Sequence, residues 1–133
     1  MAGVYFHFPF CKQACTYCNF HFSTSLNKKN LMIKSMLKEL KLRKDFFNND
    51  IVDSIYFGGG TPSLIDAKLI GEFILHVKEN FKVSEDIEIT LELNPDDSSI
   101  KYLTSLKENH VNRLSIGIQS FNQEDLFLMN RSH

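Results

Sequence analysis

The sequence has 133 residues, a formal net charge of −1, 43% hydrophobic residues and 23% charged residues. These values are ordinary for one globular domain with a hydrophobic core. A charge this close to zero argues against the basic surface by which proteins bind nucleic acid. Because no apolar run is long enough to span a membrane and no secretory signal opens the chain, we expect a cytoplasmic protein with no direct membrane span.

Strand and helix patterns alternate along the chain. β-Branched and aromatic runs, or apolar–polar alternation, predict four strands, at residues 4–8, 51–57, 87–93 and 113–118. Apolar residues at helical spacing predict four helices, over about 27–47, 66–80, 100–106 and from about 124 onward. The predicted N-caps of the last three helices are Asp66, Asp97–Ser98 and Asn122.

This order of elements predicts an α/β fold. Strands that alternate with helices form a parallel sheet with right-handed crossovers. The predicted strands are too few to close a (β/α) barrel by themselves. The fold is therefore either an open doubly wound sheet or part of a barrel.

The cysteines lie together, directly after the first predicted strand. They are Cys11, Cys15 and Cys18, in the spacing C-x3-C-x2-C. An odd number of cysteines in an intracellular protein argues against a disulfide framework, and thiolates are the ligands of iron–sulfur clusters. Three ligands would leave one iron of a four-iron cluster open to another molecule. The alternative is structural zinc, because His21 would complete a Cys3His tetrahedron.

Further unusual residues follow the other predicted strands. The run GGGTP occupies 58–62, Glu92 closes the third strand, and Gln119 follows the fourth. Ligands of parallel α/β folds bind at the carboxyl ends of the strands, where these features would meet. Glycines let a ligand approach the backbone, although a purely structural tight turn also uses them. The run lacks the lysine of a P-loop and the third glycine of a dinucleotide fingerprint.

Two polar residues in the strands have alternative roles. Glu92 alternates with an apolar face, so it is either a buried carboxylate paired with Lys or Arg, or an acceptor for ribose hydroxyls. His7 alternates with Phe6 and Phe8 in the first strand, and we expect a core histidine with a hydrogen-bond partner.

Four segments resemble a known family. They are YFHFPFC at 5–11, YFGGGTPS at 56–63, ELNPD at 92–96 and RLSIGIQSF at 113–121. Together with the cysteine spacing, they resemble the radical S-adenosylmethionine (SAM) superfamily, and within it the group that holds oxygen-independent coproporphyrinogen III oxidase and the radical SAM heme chaperone. The resemblance covers the whole chain and favours a cluster over zinc.

The resemblance implies a 4Fe–4S cluster on Cys11, Cys15 and Cys18. The amine and carboxylate of SAM would chelate the open iron. An electron from a donor such as flavodoxin or ferredoxin would then cleave the sulfonium and give a 5′-deoxyadenosyl radical. The cofactors supply this chemistry, while the protein orients them and excludes water.

The resemblance also implies which residues contact SAM. Tyr5 would lie near the first SAM molecule, and Glu92 would bind its ribose. The methionine groups of SAM would lie along Gly59, Gly60 and Thr61.

Three more positions follow from the same resemblance. Tyr17 would lie near the adenine or near a second SAM molecule. Gln119 and Arg131 would reach the second SAM position of oxidase-like members.

One departure from the oxidase pattern bears on function. The oxidase carries Gly-Cys directly after its third ligand cysteine, whereas Asn19–Phe20 follow Cys18 here. This difference favours the heme chaperone, which binds SAM and heme and delivers heme to acceptor proteins. The first alternative is the oxidase itself, a coproporphyrinogen III dehydrogenase-type oxidoreductase of porphyrin and heme biosynthesis. The second is a zinc-stabilised binding module, so whether the chain is an enzyme stays open.

Members of the resembling group are far longer than this chain. We therefore expect residues 1–133 to be the N-terminal part of a radical SAM core domain, without a C-terminal domain. The expected fold is the first half of a partial (β/α)6 TIM-like barrel. Apolar faces would then be exposed, and the isolated chain should be poorly soluble or self-associate.

Overall fold

The computed structural model of the protein describes residues 2–131 and 133. The α/β prediction is confirmed, because strands and helices alternate throughout. The elements are β1 (Ala2–Phe8), α1 (Lys29–Leu42), β2 (Val52–Gly59), α2 (Ala67–Asn80), β3 (Val83–Leu93), α3 (Ile100–Glu108), β4 (Arg113–Ile116) and α4 (Gln123–Leu128). Two short 3-10 helices, Pro62–Leu64 and Pro95–Asp97, follow β2 and β3.

The strands form one four-stranded parallel sheet in the order β1-β2-β3-β4. In a doubly wound sheet the strand order changes direction at a switch point, and the order observed here has no such change. Strands that follow one another in space as they do in sequence are the pattern of a (β/α) barrel. The sheet is therefore a consecutive run of barrel strands, with all carboxyl ends at one edge.

One face of the sheet carries the core. Phe6 and Phe8 of β1 and Phe57 of β2 are buried against Phe73 of α2. Ring centroids lie 4.7 Å apart for Phe6 and Phe73, and 5.1 Å apart for the stacked pair Phe6 and Phe57. Aromatic packing at these distances adds to the burial of apolar area. Phenylalanine side chains thus pack the sheet against helix α2.

Helix α1 ends earlier than the sequence predicts. The expected helix ran to Phe47, but the observed one ends at Leu42 and is followed by turns. The N–H of the C-cap Arg43 is shared between the carbonyls of Glu39 and Leu40, so the last turn tightens and the helix ends there. Phe47 still packs in the core, at a ring distance of 5.2 Å from Phe81. Phe47 therefore fitted the helical spacing of apolar residues because it packs against the core, although it does so from a turn.

Two of the three predicted N-caps are confirmed. The side chain of Asp66 accepts from the N–H of Lys68, and that of Asn122 accepts from the N–H of Glu124. The cap of α3 is Ser99, so the prediction of Asp97–Ser98 was wrong by one residue or two.

Two strand boundaries also differ from the prediction. Strand β3 starts at Val83, before the predicted start at 87. Strand β4 ends at Ile116 because the N–H of Ile118 donates to the carbonyl of Ile116, within the same segment, at 3.1 Å. The apolar side chains that alternate with Glu92 along β3 are buried: Ile87, Ile89, Leu91 and Leu93.

The second face of the sheet is polar and open. His7 lies on this face and is exposed, so the prediction of a core histidine was wrong, although it has a partner in the hydroxyl of Tyr5, 3.0 Å from Nδ1. Apolar side chains are exposed on several elements, as expected, and the most exposed include Leu42 at the end of α1, Ile100 at the start of α3, Phe121 before α4, and Phe127 and Leu128 on α4. In the part of the chain that the structure describes, no helix is long and apolar enough to cross a membrane.

Candidate functional site

A cavity of about 270 Å³ lies at the carboxyl edge of the sheet. Loops that follow all four strands contribute to it. The predicted site residues that line it are Cys11, Cys15, Tyr17, Cys18, Gly59, Gly60, Thr61, Glu92, Gln119 and Arg131. Tyr5 is the exception, since it lies further down the open face, where its ring contacts Tyr56 at 5.9 Å. Side chains that are up to 120 residues apart in sequence therefore lie together at one edge of the parallel sheet.

The cysteine loop is anchored at its start by backbone and charge. The N–H of Cys11 donates to the carbonyl of Ser23 at 3.1 Å, so the loop closes on itself. Lys12 forms ion pairs with Asp96, at 3.3 Å, and with Asp97. These contacts tie the loop after β1 to the loop after β3, and Lys12 was not identified from the sequence.

The turn at the end of α4 anchors the middle of the same loop. The N–H of Thr16 donates to the carbonyl of Met129 at 3.2 Å, and its hydroxyl donates to the carbonyl of Leu128 at 3.0 Å. The side-chain amide of Asn130 donates to the carbonyl of Ala14 at 2.7 Å. The last helix therefore fixes the conformation of the cysteine loop, which spacing alone did not predict.

Local electrostatics oppose a free thiolate at Cys11. Burial raises the pKa of the Cys11 thiol, a hydrogen bond from Thr61 lowers it, the neighbouring Cys18 and Cys15 raise it, and Arg131 lowers it. The net direction is upward. A positively charged metal group is what would stabilise three neighbouring thiolates here.

The cysteines fit an iron–sulfur cluster better than a zinc ion. All three thiols are free and line one cavity, and each ligand of a cluster binds a different iron. Zinc instead needs its ligands around one point. Among residues 2–131 and 133, no group of three His, Cys, Asp or Glu side chains, the cysteines included, is arranged to hold a metal ion. His21 is exposed and does not line the cavity.

The glycine turn packs directly on the cysteine loop. A Cβ at Gly60 would lie 2.7 Å from the carbonyl oxygen of Phe10 and 2.8 Å from Sγ of Cys11. Gly59 has a φ of 117°, a conformation that favours glycine. Both glycines are therefore required by the structure itself, and they also leave backbone open toward the cavity.

Glu92 lies on the open face at the end of β3 and is half-buried. Its Oε1 accepts from the hydroxyl of Tyr56 at 2.8 Å, and its Oε2 accepts from the N–H of Gly59 at 3.1 Å. The hydrogen bond to Glu92 also raises the pKa of Tyr56, with burial as the second cause. The alternative of a carboxylate paired with Lys or Arg was wrong. Each oxygen still has accepting capacity for a ligand.

Arg131 lies where three loops meet. Its Nη2 donates to the carbonyl of Gly117 at 2.7 Å and to Oδ1 of Asn94 at 3.0 Å. Its Nη1 lies 3.6 Å from Sγ of Cys15. Burial raises the pKa of Tyr17, an effect that the charge of Arg131 partly opposes.

Like Lys12, Tyr56 and Asn94 order this site and were not identified from the sequence. Tyr56 lies on β2 two residues before the first glycine of the run, on the same open face as Glu92. Asn94 follows Glu92 by two residues and lies in the segment ELNPD, but no role at the site was predicted for it. Their positions at strand carboxyl ends are the signal that would have identified both.

The Radical SAM superfamily model matches residues 5–133, and the chain therefore belongs to this family. Family membership implies SAM and a 4Fe–4S cluster as cofactors. Which residues hold these groups stays a prediction, supported by the cavity described above.

Relatives include proteins with different names. The chain is 35% identical over 133 residues to Radical S-adenosyl methionine domain-containing protein 1, mitochondrial, of Danio rerio, covering 99% of this chain and 30% of that protein. It is 33% identical to heme chaperone HemW of Buchnera aphidicola, covering 98% and 35%. It is 32% identical to oxygen-independent coproporphyrinogen III oxidase of Salmonella typhimurium, covering 97% and 29%.

The fold matches a solved member of the family. Coproporphyrinogen III oxidase HemN from Escherichia coli, a radical SAM enzyme, superposes with a TM-score of 0.88 at 30% identity. The match covers 98% of this chain and 31% of HemN. The chain thus spans about a third of the length of the relatives that it matches.

Proposed function

We propose that the protein is a radical SAM protein of the heme chaperone type, which binds heme and delivers it to acceptor proteins. The observation that carries this proposal is the pair Asn19–Phe20 directly after Cys18, where the resembling oxidase has Gly-Cys. Phe20 is 78% exposed and lines the cavity, so an apolar ring stands at its mouth in place of a further thiol. An exposed ring of this kind suits a flat apolar ligand such as heme.

Different residues of the cavity would bind the cluster and SAM. Cys11, Cys15 and Cys18 would each bind one iron of the cluster. Cluster and SAM, when bound, supply a 5′-deoxyadenosyl radical by reductive cleavage of the sulfonium. Glu92 would accept ribose hydroxyls with the lone pairs that Tyr56 leaves free.

The backbone of the glycine turn and the residues after β4 would complete the SAM site. Gly60 and Thr61 lie beside Cys11, and with cluster and SAM bound their main-chain groups would bind the amine and carboxylate of SAM. Gln119 and Arg131 also line the cavity and would contact a second SAM. Tyr5 would reach SAM only from the open face of the sheet.

The second candidate is coproporphyrinogen III oxidation. The fold match to HemN and the 32% identity to a named oxidase favour it, and the identities to chaperone and oxidase are too similar to separate them. Either function needs an electron donor such as flavodoxin or ferredoxin. We propose the cytoplasm as the location, although relatives with mitochondrial names exist.

The first experiment tests the cofactors. After anaerobic reconstitution with iron and sulfide, we expect the reduced protein to give a 4Fe–4S EPR signal that changes when SAM is added. Cys15→Ser is the control and should lose the signal. One zinc per chain and no cluster would contradict the radical SAM assignment of these cysteines.

A second experiment separates chaperone from oxidase. We expect hemin titration to give a saturable Soret band, and the loaded protein to transfer heme to an apo-protein acceptor. Conversion of coproporphyrinogen III to protoporphyrinogen IX by the reconstituted protein with SAM and reductant would contradict the chaperone proposal. Phe20→Ser should weaken heme binding and leave the SAM-dependent EPR change intact.

A further inference from the structure

The guanidinium of Arg131 lies against one of the predicted cluster ligands. Its Nη1 is 3.6 Å from Sγ of Cys15, within the range of an N–H···S hydrogen bond, and the contact is partly buried. Arg131 is 116 residues away from Cys15 in sequence. The contact therefore exists only because the segment after α4 returns to the cysteine loop.

Two acceptors hold one end of this guanidinium. The carbonyl of Gly117 accepts from Nη2 at 2.7 Å, and Oδ1 of Asn94 accepts from the same atom at 3.0 Å. The backbone N–H of Arg131 donates to the carbonyl of Leu126 at 2.9 Å, which fixes the start of the side chain. A planar guanidinium held at one end cannot rotate freely, so its Nη1 stays directed at the sulfur.

Charge and hydrogen bonding at a ligand sulfur change the chemistry of a cluster. Hydrogen bonds to the sulfurs and the net charge nearby are among the properties that set the reduction potential. A donor and a positive charge stabilise the reduced cluster, which carries one more electron, so they raise the potential. Partial burial strengthens both effects because water screens them less.

We propose that Arg131 sets the reduction potential of the cluster through its contact with Cys15, and that Asn94 is a positioning residue that holds the guanidinium in place. This inference rests on the proposed function only in that Cys11, Cys15 and Cys18 must carry the cluster. It assigns to Arg131 a role in electron transfer that is separate from contact with SAM.

The test is an EPR-monitored redox titration of the reconstituted protein without SAM. Arg131→Met removes donor and charge, and the potential should shift to a more negative value. Arg131→Lys keeps the charge without the planar fork, and its shift should be smaller. Asn94→Leu leaves the guanidinium but removes its support, and it should shift the potential in the same direction by less than Arg131→Met.

Arg113→Met is the matched control. Arg113 begins β4 at the opposite end of the strand, where it pairs with Glu88 at 2.9 Å and is exposed. Its removal takes the same charge from the chain without touching the cavity, so the potential should equal that of the wild-type protein. An equal shift in this control would show a general charge effect and overturn the role of the contact.

The remaining outcomes separate this inference from the proposed function. A wild-type cluster whose potential is unchanged in every Arg131 and Asn94 variant would overturn the inference and leave the cluster assignment intact. Loss of the cluster from all three variants would show that the contact holds the loop, and would overturn its role in tuning. Absence of a cluster from the wild-type protein would overturn the cysteine assignment itself.

Discussion

The carboxylate of Glu92 accepts a hydrogen bond from the backbone N–H of Gly59, at 3.1 Å. Glu92 ends β3, and Gly59 ends β2 in a left-handed conformation with a φ of 117°. The carboxylate thereby holds the first turn of the glycine run, in addition to any contact with a ligand. Its second oxygen is held by Tyr56, so its orientation is set before a ligand arrives.

Glu92→Gln should weaken both the turn and SAM binding. Glutamine can accept from the N–H of Gly59 through its oxygen and donate its amide to the hydroxyl of Tyr56, which also accepts, but both bonds lose the negative charge of the carboxylate. Because hydrogen bonds to a charged group are stronger than neutral ones, we expect the free energy of unfolding to fall by about 1 kcal/mol. Tyr56→Phe is the control and should cost about 0.5–1.5 kcal/mol with a smaller loss of SAM affinity. Equal SAM affinity in Glu92→Gln and wild type, by isothermal titration calorimetry, would refute the assignment.

Gly60→Ala should prevent normal cluster binding. The new Cβ would lie 2.7 Å from the carbonyl oxygen of Phe10 and 2.8 Å from Sγ of Cys11, so the backbone of the cysteine loop would have to move. We expect less iron and sulfide per chain after reconstitution. Gly58→Ala is the comparison, because its Cβ would meet the side chains of Tyr56 and Tyr5, which can shift. Full iron content in Gly60→Ala would contradict the close packing of the two loops.

Asn130 should stabilise the cysteine loop through its backbone conformation and through its side-chain amide, and two variants separate these contributions. It has a φ of 54°, and its side chain donates to the carbonyl of Ala14. Asn130→Gly keeps the backbone conformation and removes the amide, so cluster retention should fall with little change in thermal stability. Asn130→Ala removes the amide and adds backbone strain of about 1–2 kcal/mol. If both variants retained the cluster as the wild type does, the contact would have no role in holding the loop.

The protein should lose stability at alkaline pH because of Tyr102. Burial raises the pKa of Tyr102 well above its ordinary value of 10.0, and nearby Asp97 and Asp66 raise it further. The folded state therefore holds this proton more tightly than the unfolded state. The resulting stability is fully present below pH 10.0 and is lost as the pH rises through the folded pKa.

Tyr102→Phe tests this pH dependence. Its hydroxyl donates to the carbonyl of Ile65 at 2.9 Å, so the variant should lose about 1 kcal/mol below pH 10. The decline in unfolding free energy above that pH should also be shallower than in the wild type, as measured by urea denaturation at a series of pH values. Parallel curves for the two proteins would show that the buried hydroxyl does not contribute to the decline.

The chain should self-associate in solution. Ile100, Phe121 and Phe127 are 85%, 94% and 83% exposed, on or next to α3 and α4, and large exposed apolar patches promote association. Sedimentation velocity should show species larger than a monomer whose share grows with concentration. The double variant Phe121→Ser with Phe127→Ser should reduce that share. A monodisperse monomer with a cooperative melting transition would refute the expectation.

The sequence by itself determined the features that depend on short stretches of chain. Alternation and helical spacing identified the four strands and the four α-helices of the described residues, and the spacing of Cys11, Cys15 and Cys18 predicted a metal-binding loop. The parallel order then predicted which loops would meet, because all carboxyl ends of such strands lie at one edge. Local pattern did not predict features that depend on packing between elements. Phe47 packs on the core from a turn and not from a helix, and His7 lies on the face of the sheet that no helix covers.

Only the tertiary structure decided how the site is held together. The contacts between Arg131 and Cys15, and between Asn130 and Ala14, join residues 116 apart in the chain. No spacing rule connects such positions, since their distance depends on how strands and helices stack. Glu92 illustrates the division: alternation placed it on the open face, but its bonds to Tyr56 and Gly59 follow from the register of β2 and β3.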